Sequence, residues 1–206
     1  MIDIGQCALE CPRCRAKYNI CQYGLLINHN IRYRDIRTGE TMGLFDNQQY
    51  LIDHNLLSGA YVIKDPAGND LGRIEQNLIN TKYIFYDAAG VEVGRIEAKA
   101  LALQPSFNIL DFGGKTIAIL KGLQTTFHGS EYWFENAEGE EILRARGKYP
   151  SGEYQILDPA WSVIAEINMG TPPKKCDFSV AILSPNANRY LVLAAVACID
   201  GSEHHT

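Results

Sequence analysis

The sequence predicts an all-β protein with one buried helix: a twelve-stranded antiparallel closed barrel of serial hairpins around a central hydrophobic C-terminal helix. Three observations predict it. Segments led by an aromatic residue recur at intervals of 22 to 25 residues. Each carries an Asp- or Asn-led turn at its middle. The chain then closes on the apolar stretch "YLVLAAVACI", residues 190–199.

Five segments align on their leading aromatic: "YVIKDPAGNDLGRIE" from Tyr61, "YIFYDAAGVEVGRIE" from Tyr83, "FNILDFGGKTIAILK" from Phe107, "YWFENAEGEEILRAR" from Tyr132 and "YQILDPAWSVIAEIN" from Tyr154. A sixth start, "FSVAIL" from Phe178, keeps the spacing and then changes character. In each unit an aromatic–x–aliphatic alternation makes a half-buried strand, because successive side chains point to opposite faces. Asp or Asn then opens a turn, and Gly takes a left-handed backbone without steric cost. The chain returns as a second alternating strand, so each unit is a hairpin. In the fifth unit Trp161 stands where Gly would be, which predicts a longer or differently shaped loop.

A further hairpin is expected at residues 31–45, "IRYRDIRTGETMGLF", around Asp35 and Gly39. With it the count reaches six hairpins and twelve strands. An open sheet of that size exposes edges and tends to curl, so closure is the economical solution. A propeller blade needs four strands and a repeat of ~40 residues, which this period does not supply.

A twelve-stranded barrel is too wide for its own side chains to fill. The C-terminal stretch is the filler: Leu191, Leu193, Ala194, Ala195, Val196, Cys198 and Ile199 leave no polar face on a helix. A helix apolar all round is buried all round. A dozen residues at ~1.5 Å each reach ~18 Å, short of a ~30 Å hydrocarbon core, so no transmembrane span is expected. Asn186 or Asn188 is placed to cap its start and Gly201 to end it.

The 206 residues carry a net charge of −5, which argues against a nucleic-acid binder. The N-terminus shows no secretory signal, so the reading is cytoplasmic, with thiols or metal ligands rather than disulfides. Residues 1–26 read as a cysteine-rich segment and 27–206 as the barrel domain. Cys7, Cys11, Cys14 and Cys21 fall within fifteen residues, and "CPRC" has the spacing that lets two thiolates share a tetrahedral ion. A structural four-thiolate zinc site is one reading; reduced buried thiols, or lipidation and redox roles, are the others. Within residues 1–40 six basic residues face four acidic ones, and Arg32, Arg34 and Arg37 are the candidate contacts to an anionic lipid. No organic cofactor is indicated. His128 has no triad context, and Glu140–Glu141 reads as a solvated turn. The expectation is a protein that is not an enzyme.

The repeated "Y-x-I-x-D-x-x-G" hairpins, the "CDFSVAI" strand, the link "LSPNANR" and the closing "LVLAAVACID" together resemble the tubby C-terminal-like superfamily. The nearest resemblance is to the LURP-one-related proteins and the phospholipid scramblases, over roughly residues 31–200. The resemblance implies a twelve-stranded barrel around a hydrophobic helix and no shared enzyme chemistry. It implies a protein that binds a membrane lipid or a protein partner, peripherally at a membrane. The alternatives are scramblase-like lipid transport, or a purely protein-interacting barrel with structural zinc. "SPNANR" offers no carboxylate for a scramblase-like calcium loop.

Overall fold

The computed structural model describes residues 43–55, 58–77, 81–99, 106–122, 129–148, 152–170 and 177–203, and the backbone of 8–10 and 17–19. Two short strands, β1 (Ala8–Glu10) and β2 (Lys17–Asn19), pair antiparallel with Leu9 opposite Tyr18. The barrel is built from β3 (Gln49–Asn55), β4 (Ala60–Lys64), β5 (Asp70–Gln76), β6 (Lys82–Asp87), β7 (Glu92–Ala98), β8 (Ser106–Asp111), β9 (Thr116–Gly122), β10 (Ser130–Glu135), β11 (Glu141–Lys148), β12 (Glu153–Leu157), β13 (Val163–Met169) and β14 (Phe178–Ile182). Each strand pairs antiparallel with the next, and β14 returns to β3, with Phe178 opposite Ile52, so the twelve strands close. A single helix, α1 (Arg189–Glu203), follows.

The twelve strands are not the twelve that the hairpin at 31–45 would give. Residues 31–42 lie outside the described residues, and 43–45 open a turn rather than a strand. The barrel instead takes Gln49–Asn55 as its first strand and Phe178–Ile182 as its last. Both alternate buried residues, Tyr50 and Ile52 in one and Phe178, Val180 and Ile182 in the other. They meet each other because a closed barrel needs its terminal strands paired.

The five repeat hairpins share one turn. In each, the leading Asp or Asn accepts the backbone N–H three residues on: Gly68 to Asp65 at 3.0 Å, Gly90 to Asp87 at 3.0 Å, Gly114 to Asp111 at 3.0 Å, Gly139 to Asn136 at 3.2 Å and Trp161 to Asp158 at 2.9 Å. Its side-chain oxygen also takes the N–H of the fifth residue, as from Ser162 to Asp158 at 2.9 Å. The fourth residue has positive φ in all five: 90°, 77°, 80° and 83° at the glycines and 65° at Trp161. A register shift next to each turn completes a type I turn with a glycine-type bulge. The loop at Trp161 is therefore neither longer nor different. The Asp158 hydrogen bonds impose the same turn and force a tryptophan into a left-handed backbone.

Inward positions are led by the aromatics that defined the repeat: Tyr61, Tyr83, Phe107, Tyr132, Tyr154 and Phe178 are all buried. They pack on α1, whose residues Leu191 to Ile199 are 0–4% exposed. Burial of each large aliphatic among them contributes about 1.5–3 kcal/mol relative to exposure. Asn188 caps α1, accepting the Leu191 N–H at 3.2 Å. Gly201 does not end it. The helix runs to Glu203, and a Cβ on Gly201 would overlap the Tyr83 hydroxyl, so this glycine provides clearance inside the barrel rather than a stop.

Candidate functional site

Polar contacts anchor both ends of α1. At the end of the barrel that carries the five turns, the Tyr190 hydroxyl lies 2.8 Å from the Leu110 carbonyl and 3.1 Å from that of Arg95. Its ring packs edge-on against Phe85, and a side chain at Gly94 would overlap the hydroxyl. At the opposite end, Asp200, 2% exposed, accepts the Tyr61 hydroxyl at 2.7 Å. The Nδ1 of His54 lies 3.0 Å from the same carboxylate, and the His54 ring stacks on Tyr61 with centroids 4.1 Å apart. The His54 backbone N–H is fixed by Asp177 at 2.8 Å. Burial pushes the Tyr61 hydroxyl far up from its ordinary range, and the Asp200 charge adds to the effect. Tyr83 and the Cys198 thiol are likewise held protonated by burial. A thiol in that state is a small hydrophobe, not a nucleophile.

The predicted helix residues Leu191, Leu193, Ala194, Ala195, Val196, Cys198 and Ile199 are thus brought together in the lumen. Cys7, Cys11, Cys14 and Cys21, and Arg32, Arg34 and Arg37, lie outside the described residues. Among the described residues no group of His, Cys, Asp and Glu is placed to hold a metal ion. No described helix is long and apolar enough to cross a membrane.

A groove of about 340 Å³ lies at the turn end, between β11, β13 and the link into α1. Its lining is apolar at Ile142, Ile164, Ala187 and Leu191 and polar at Asp158 and Asn186. Trp161, whose N–H bonds the carbonyl of the lining residue Asp158, is 54% exposed, and Leu183, just before the lining residue Ser184, is 55% exposed. The guanidinium carbons of Arg144 and Arg146 stand 4.8 and 5.2 Å from the Trp161 ring centroid. Arg144 is held bidentately by Glu141 at 2.6 and 2.9 Å and also meets Glu131, which pairs with Arg146 at 2.7 Å. Those bonds raise the Arg144 pKa and lower that of Glu141. A left-handed backbone costs a non-glycine residue about 1–2 kcal/mol. Here it presents an aromatic already braced by two cations.

Sequence reasoning did not pick out this arrangement, nor the His54–Asp200 contact. The signal for the first was present: Trp161 is the one residue breaking the Asp-x-x-Gly series.

The family model for LURP-one-related proteins matches residues 49–200, from β3 into the last turns of α1. The chain belongs to the LURP-one-related family. A crystal structure of a protein from Arabidopsis thaliana is similar in fold, with a TM-score of 0.57, 16% sequence identity, and coverage of 75% of this chain and 90% of that one. No curated protein matches the sequence.

Proposed function

We propose that this LURP-one-related barrel is a non-enzymatic binding module that meets a membrane lipid or a protein partner on its outer surface, at a membrane facing the cytoplasm. One observation carries the reading: α1 occupies the lumen with its whole apolar surface covered, so the ligand cavity that a wide barrel would otherwise offer is already taken. A helix covered in this way is not offered to a bilayer either, which weighs against scramblase-like lipid transport. The buried polar groups at its ends, Tyr190 and the Asp200–His54–Tyr61 cluster, are engaged in holding the helix.

Flotation of the purified full chain with neutral, acidic and phosphoinositide-containing vesicles across salt concentrations tests the lipid arm. Salt-sensitive flotation with acidic lipid supports it, and Arg32, Arg34 and Arg37 are then the first residues to neutralise. Absence of flotation leaves the protein arm. A small molecule that binds stoichiometrically and shifts the methyl resonances of Leu193 and Val196 would put a ligand in the lumen and overturn the reading.

The second component of the proposal is a structural zinc ion on Cys7, Cys11, Cys14 and Cys21. Its support is the C-x2-C spacing in the stretch between two strands that pair, β1 and β2. Metal analysis of the purified chain should give one zinc per molecule, lost in the fourfold Cys→Ser variant. A metal-free wild type would remove this component without touching the barrel reading.

A further inference from the structure

We infer that the groove beside Trp161 docks a short basic segment of a protein partner, one that inserts an apolar side chain between lysines or arginines. This rests on the binding-module reading and names the partner class for one surface. Three features define the occupant. The lining residues Ile142, Ile164 and Ala187 are apolar. Trp161, bonded through its N–H to the lining residue Asp158, and Leu183, just before the lining residue Ser184, are both more than half exposed. Exposed Trp and Arg at the edge of a pocket are the residue types that dominate binding energy in protein interfaces. Carboxylates predominate around it: Glu138 and Glu140 lie on the turn leading into Ile142, and Asp158 lines the groove. Among the described residues none of these three has a cation within ion-pair distance, whereas Glu131 and Glu141 are matched by Arg144 and Arg146. The start of α1 adds one cation, Arg189, whose guanidinium is turned to the Asn47 and Ala187 carbonyls, so the three carboxylates still outnumber it.

An apolar anchor with flanking cations satisfies both halves of the surface, and uncompensated rim charges select the partner's sign. A bilayer fits less well. The carboxylates would face anionic headgroups, and a groove accommodates one side chain rather than a plane.

The test uses the full chain carrying Trp133→Phe, which leaves Trp161 as the sole tryptophan. Short synthetic peptides centred on leucine are titrated in two series, one flanked by Lys and Arg, the other by Asp and Glu. The basic series should shift Trp161 emission saturably, more weakly as salt rises, and the acidic series should not. Glu138→Lys with Glu140→Lys should weaken the basic series about tenfold while the melting temperature holds. Equal binding by both series, binding by neither, or full binding by the double variant overturns the inference. A shift caused by neutral vesicles alone would make the surface a membrane contact, and one that grows with protein concentration alone would assign it to a second copy. Because flotation reads the lipid arm separately, failure of the peptides removes this occupant and leaves the binding-module reading to its own test.

Discussion

The lumen and the turn rim are made by the same five hairpins and treat their aromatic residues in opposite ways. Inside, Tyr61, Tyr83 and Phe107 repeat in register and disappear against α1, each at the position where strand alternation points it. At the rim, four turns carry a glycine with positive φ, and the fifth carries Trp161, strained and exposed. A Cβ at Gly68, Gly114 or Gly139 would meet no neighbour, so those glycines are there for φ alone. Trp161 departs from the rule with no gain in burial. The lumen is therefore where the sequence serves stability, and the fifth turn is where it is spent on a surface.

Removing the filler should have the largest effect. A chain truncated after Asn188 loses α1 and leaves twelve inward faces without a partner; no cooperative thermal transition is expected, and a sharp one would break the account of the lumen. Leu193→Ala, at a position of zero exposure, should lower stability by about 2–5 kcal/mol in a urea titration, because a rigid barrel cannot collapse around the cavity. Tyr61→Phe removes one donor from the buried Asp200 carboxylate and should cost about 1–3 kcal/mol.

The pH response follows from the same interior. The hydroxyls of Tyr61, Tyr83 and Tyr190 and the Cys198 thiol are all held protonated by burial. In the unfolded chain they ionise near their ordinary values of about 10 and about 8.5. The unfolded state therefore loses protons first, and stability is complete below that range and falls as pH climbs through it. The melting temperature should decline steadily above about pH 9, and an alkaline plateau would contradict the burial of these groups.

The smallest stability change belongs to the rim. Trp161→Gly releases a left-handed backbone costing about 1–2 kcal/mol and loses two exposed cation–π contacts of about 0.5–1 kcal/mol each, so the melting temperature should barely move. Peptide binding at the groove should be lost. A large destabilisation would mean that Trp161 serves the fold after all.

Strand alternation, the Asp-x-x-Gly turns and the "CDFSVAI" stretch are local signals, and they located eleven of the twelve strands and the apolar helix. The first barrel strand was harder. Gln49–Asn55 connects to β4 through the turn at Asn55–Gly59, which has no Asp-x-x-Gly pattern, so Tyr50 and Ile52 alone marked the strand. Gly201 reads as a helix stop because its neighbour, the Tyr83 hydroxyl, is supplied by a distant strand. His54 and Asp200 are brought together only by barrel closure, and no spacing rule connects them. At Trp161 the sequence signalled an exception, but only the hydrogen bonds to Asp158 show that the turn was kept and the residue strained to fit it.

Binding outside a barrel whose helix stays inside is most directly tested at Cys198. With the other five cysteines replaced by serine, the rate of thiol labelling reports whether α1 leaves the lumen. Labelling should be as slow as global unfolding, and equally slow with peptides or vesicles present, because the thiol has no exposure. Rapid labelling on addition of vesicles would show the helix moving out to the bilayer and would contradict the account.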